Sequence, residues 1–250
     1  MSIVLVSGCV SPTVEVDGRG FPDFGKAGPH IGPGSVVRLL GGATFDGPLV
    51  LSEGVEVHGP GTLQAANGTV ITGEGALTLV DVDVRGGSGD DGTSIVAGAL
   101  TLDGVTVQGG AGPLAIVSNG DLDVRSSTLI HPSGKVLETR SPVGRPASAR
   151  LEDVVVEGLL TPHADTVDIV GLTGAAELAF RALSAHVEAS DLVSLEVDAR
   201  THQLVDLDMA GPVVLEGGEA AVLAVAGGTW LLDLDALVGL EMDVAALGGQ

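Results

Sequence analysis

The segment Ala76–Gly87 reads ALTLVDVDVRGG, and 23 residues further on Ala99–Gly110 reads ALTLDGVTVQGG. A repeat at a fixed short period makes a chain an array of structural units, each burying its apolar face against its neighbours. The two copies share Leu at their second and fourth positions, Val at their seventh and ninth, and a closing Gly-Gly. Weaker echoes follow at Leu122–Ile130, Leu151–Gly158 and Leu232–Val244. Between Pro48 and Val244 a 23-residue period predicts about eight to nine units, stacked as one elongated domain.

From Ser35 onward, short runs with apolar residues at alternate positions are separated by Gly, Gly-Pro or Asn-Gly, which is the pattern of many short strands. A sandwich, an antiparallel barrel and a solenoid all use such strands, and the fixed period selects the solenoid. Leu77 and Leu79 face one way, yet the next apolar pair is Val82 and Val84, a step of three from Leu79. On a straight strand an odd step exchanges the two faces, so the chain must bend between the pairs to keep both inside. Gly104 lies at that bend in the second copy and suits the left-handed backbone of a tight corner. Leu172–Val187 is rich in alanine, but Gly174 interrupts helical spacing, so the segment is read as a further rung.

On these residues (the Val55–Leu63 rung VEVHGPGTL and the L-T-L-x-x-V-x-V-x-G-G rungs) the chain resembles the right-handed parallel β-helix proteins of the pectate-lyase-like superfamily. The resemblance implies an all-β fold, a right-handed parallel β-helix over residues 35–250; residues 10–34, with clustered Gly and Pro and little periodicity, read as an irregular leading segment. Residues 1–9 end in Val6-Ser7-Gly8-Cys9, which resembles the lipobox of bacterial lipoproteins. That second resemblance implies a signal remnant, lipidation of Cys9, and export to the cell envelope or the extracellular surface.

The chain carries 33 acidic against 11 basic residues, a net charge of −22. Such a field repels phosphate backbones and anionic lipid, which argues against nucleic-acid partners. No apolar stretch reaches the 18 residues of a membrane-spanning helix. With one Trp and no Tyr, the surface has few flat rings on which to lay a sugar. The six histidines show no ligand spacing, and Cys9 has no partner cysteine.

Three places hold residues with chemical potential. Gly86–Ser94, GGSGDDGTS, resembles a calcium-binding RTX nonapeptide, which implies Asp90 and Asp91 as oxygen ligands for calcium; a plain polar turn accounts for the same residues. The stretch His131–Arg150 gathers an unusual share of the bases, and the rung at Leu151 arrives late. In β-helix proteins that cleave glycans, projecting loops build the cleft, which would make His131, Glu138, Arg140 and Arg145 the catalytic candidates. Acidic pairs at i and i+2 (Asp206 and Asp208, Asp233 and Asp235, Glu241 and Asp243) would share one face of a strand. The expected function is a non-catalytic, secreted or surface-anchored structural or adhesive protein with a surface glycan or protein as partner. The alternatives are a polysaccharide lyase or glycoside hydrolase using the His131–Arg150 stretch, and a filament of coils joined end to end.

Overall fold

The structure, a computed structural model, describes residues 13–86, 92–140 and 148–243. They form a parallel β-solenoid of about nine turns with almost no helix. Each turn passes through three sheets in order. Its core is a set of aliphatic columns that run the length of the coil.

In the first sheet the inward column is Val37, Val57, Leu79, Leu102, Val124, Leu151, Ile169, Val187 and Leu204, each opposite the next through parallel pairing. None is more than 1% exposed. The second sheet contributes Phe45, Leu63, Val84, Val107, Leu129 and Val156. The third contributes Ile71, Ile95, Ile116, Leu137, Leu160, Leu178 and Leu195. Branched aliphatic side chains stacked at about 4.8 Å fill most of the interior, with Phe45 and Phe180 also buried in it, and each stabilises the coil by roughly 1.5–3 kcal/mol relative to exposure.

The period departs from the expected 23 or so residues at more places than the late rung at Leu151. Along the first-sheet column the steps are 20, 22, 23, 22, 27, 18, 18 and 17 residues. Only the inward positions must stay in register, so the exposed connectors are free to shorten. From Ala149 onward they nearly vanish. The strands Thr173–Leu192 and Ser194–Glu216 therefore run round corners without a break. The rung reading of Leu172–Val187 holds, since Thr173–Leu192 is strand throughout.

The corner between the first and second sheets is a single left-handed residue in each of seven successive turns: Asp81, Gly104, Ser126, Asp153, Gly171, Ala189 and Asp206. The bend inferred at Gly104 is real, with φ at +65°. A Cβ there would lie 2.5 Å from Oδ1 of Asp81 in the turn before. Immediately after this corner the inward residue is usually aliphatic, but Ser127 and Ser190 also occupy it. Ser127 Oγ donates to the Arg125 carbonyl at 2.6 Å and accepts from the Val105 N–H at 3.0 Å. Ser190 Oγ does the same with Glu188 and Leu172. Replacing Ser127 with alanine leaves the buried Val105 N–H unpaired, and urea denaturation should show a loss of about 1–3 kcal/mol.

The leading segment is structured where sequence reading makes it irregular. Strands β1 (Val14–Val16) and β2 (Arg19–Phe21) form a hairpin, and helix α1 (Phe24–Ala27) follows, capped by the Asp23 carboxylate on the Lys26 N–H at 2.8 Å. Strand β1 pairs antiparallel with β3 (Val36–Leu39), which covers the edge of the first turn. Phe21 and Phe24 close over the core, with Phe24 edge-on to Phe45 at 5.2 Å. Three of the four phenylalanines thus form a lid at the N-terminal end. At the other end, Leu232 and Leu237 are 38% and 43% exposed, although their counterparts in lower turns are buried.

Candidate functional site

His131 is a core residue, which corrects its candidacy as a catalytic group. It lies in the strand Thr128–Thr139, is 1% exposed, and its Nε2 donates to the Gly112 carbonyl at 2.8 Å. Glycines make room for the ring: a Cβ on Gly134 would sit 2.5 Å from Nε2, and one on Gly109 would meet Nδ1. The imidazole fills space left open by Gly109 in the turn before and by Gly134 in its own strand, and it presents nothing to solvent.

Most of the late stretch is coil wall rather than a projecting loop. Leu137 stacks between Ile116 and Leu160, and Leu122 pairs with Ala149, so the turn is 27 residues long. Of the predicted residues, the structure brings Glu138 and Arg140 together, with Arg140 Nε donating to Glu138 Oε1 at 2.8 Å. Lys135 Nζ approaches the other oxygen at 3.6 Å. Partial burial alone would raise the Glu138 pKa, but the Arg140 hydrogen bond and charge, with Lys135 behind them, hold it below its usual 4.5. His163 is nearby. Partial burial lowers its pKa below 6.5 against the pull of Glu138, and the Lys135 and Arg181 charges act in the same direction as burial.

The lowered Glu138 pKa has a definite sign. The folded state favours the ionised carboxylate, so its stabilisation is complete above the unfolded carboxyl pKa and fades as pH falls through the lower folded value. Glu138→Gln should therefore be less stable than the parent at pH 7. The gap should close below about pH 4, measured as urea midpoints across a pH series.

Sequence reasoning missed a second cluster, on the outer face of the first sheet. Asp168 Oδ1 lies 2.8 Å from His186 Nδ1, and Arg150 Nε lies 3.9 Å from the other Asp168 oxygen. An Asp–His pair invites comparison with nucleophile activation. Here, however, the second ring nitrogen of His186 lies 3.3 Å from Glu188 Oε2, so a carboxylate takes the place a hydroxyl nucleophile would need. Arg150 is also held by Glu152 at 2.9 Å. The cluster ties successive turns together, with Asp168 joined to Arg150 in the turn before and to His186 in the turn after.

Of the three acidic pairs, Glu241 and Asp243 lie together in the strand Ala236–Asp243, while the other two are divided. Asp206 is itself the left-handed corner, so Asp208 lies on the next sheet, and Asp235 lies beyond the strand Glu219–Asp233 that ends at its partner. Arg145, Asp90, Asp91 and Cys9 lie outside the described residues. Among the described residues, no three His, Cys, Asp or Glu side chains come together as a metal site, and no helix is long and apolar enough to cross a membrane. No protein-family model matches the chain, and no curated protein or solved structure matches it.

Proposed function

We propose that this protein is a non-catalytic, exported or surface-anchored β-helix with a structural or adhesive role, of the pectate-lyase-like architecture. One observation carries this reading: the two candidates that could act as a base, His131 and Glu138, are withdrawn from that role. His131 is buried, and Glu138 is held ionised between Arg140 and Lys135, so neither stands free as a base. A coil whose outer charges pair between neighbouring turns, as Arg150 does with Asp168 and Arg181 with Asp198, suits a rod better than a cleft.

The reading is tested by incubating the purified protein with a panel of uronic-acid and neutral glycans and assaying new reducing ends and unsaturated products. No turnover is expected. Turnover that disappears in Arg140→Ala would establish the lyase or hydrolase alternative instead. The aromatic lid over the first turn speaks against joining coils end to end, because β1 already occupies the edge a second copy would need. Surface anchoring rests on lipidation of Cys9, which mass spectrometry of the native N-terminus decides. Calcium held by Asp90 and Asp91 is read out by the shift in thermal midpoint on adding chelator.

A further inference from the structure

Leu114, Lys135 and Leu159 are direct partners in three successive turns on the outer side of the third sheet. Two leucines stacked on either side of a lysine make an apolar strip with an ammonium at its middle. This strip floors a groove of about 480 Å³, whose other walls are Pro113, Ser133, Gly134 and Glu138. That volume lies within the range of small-ligand sites, which pair mostly apolar walls with a few placed polar groups.

The charge at this spot runs against the rest of the molecule. Lys135 and Arg140 face one carboxylate, Glu138, which leaves one positive charge in a chain whose net charge is −22. Arg140 Nε is the closer partner of Glu138, at 2.8 Å, while Lys135 Nζ stands off at 3.6 Å. The ammonium therefore keeps donors for another acceptor. Because Glu138 is so near, an approaching dianion is repelled, whereas a single negative charge is accommodated. We infer that this groove binds a small amphipathic monocarboxylate: its hydrocarbon part lies along Leu114 and Leu159, and its carboxylate sits on Lys135. This site is independent of the structural reading above, and it requires no catalysis.

The simpler account of the strip is that the lysine stem merely covers two leucines. Titration calorimetry of the full chain with laurate, below its micelle concentration, separates the two accounts, with dodecyl maltoside and dodecylammonium as uncharged and cationic controls. Laurate should bind while both controls fail. Lys135→Met keeps the apolar stem but removes the charge, and it should weaken laurate binding about tenfold or more. Arg140→Ala, which releases Glu138 to engage Lys135 fully, should also weaken binding, and Leu159→Asn should do so through the apolar side. Thermal melts confirm that each variant is folded. No laurate binding, equal binding of the uncharged amphiphile, or unchanged affinity in both Lys135→Met and Arg140→Ala overturns the inference.

Discussion

Gly59→Ala should cost the fold about 3 kcal/mol or more, or prevent folding outright. A Cβ on Gly59 would overlap the carbonyl oxygen of Asp81 in the next turn. The obstacle is backbone, and it belongs to the tight corner where Asp81 is itself left-handed, so neither side can yield without moving a turn. The matched control is Gly28→Ala, where φ is −46° and no atom from another turn lies within 4 Å of the added carbon. Pro29 follows Gly28, and a Cβ on a helical residue before proline crowds the proline ring, so that variant should lose about 1 kcal/mol, still far less than Gly59→Ala. Urea denaturation of the pair measures the difference. Equal stability of the two would show that adjoining turns are not packed backbone to backbone at this corner.

The second large effect lies in the middle of the first-sheet column. Leu102 is fully buried between Leu79 and Val124, so Leu102→Ala removes methyl groups from a column that cannot collapse without breaking register above and below. The expected loss is about 2–5 kcal/mol. Leu232→Ala, at a position 38% exposed near the C-terminal end, should lose far less. In a stacked array each turn touches only its neighbours, so the damage is also local. Amide exchange in Leu102→Ala should accelerate most in the strands carrying Leu79 and Val124, and least in the N-terminal lid. Uniform acceleration along the whole coil would contradict this picture of the core.

Much of the architecture could be read from the chain, because the inward columns are written directly in it. The alternation at Leu77 and Leu79, the odd step to Val82, and the glycine at 104 identify two sheet faces and the corner between them. The turn length was harder to read. Two well-matched consecutive copies set an apparent period of 23, but hydropathy says nothing about how much exposed connector separates inward positions, so the contraction to 17 or 18 residues was hidden. The same gap concealed the corners at Asp81, Ser126, Asp153, Ala189 and Asp206, whose side chains only weakly signal a left-handed backbone.

For the candidate site the gap was wider. His131 reads as an exposed polar residue, and its burial follows from the space left by Gly109 in the turn before and Gly134 in its own strand. Asp168 and His186 are 18 residues apart and meet only because that turn is 18 residues long. The pairing of Glu138 with Arg140 at i and i+2 was within reach, but Lys135 between Leu114 and Leu159 depends on which turns lie above and below.

What the sequence determined alone was a stacked β-coil with an aliphatic interior, since apolar alternation with an odd step is satisfied only by bending the chain round a common core. What the tertiary structure decided was the length of each turn, the closed aromatic end, and which charges face one another. These follow from the register between turns, and register arises only when distant segments pack.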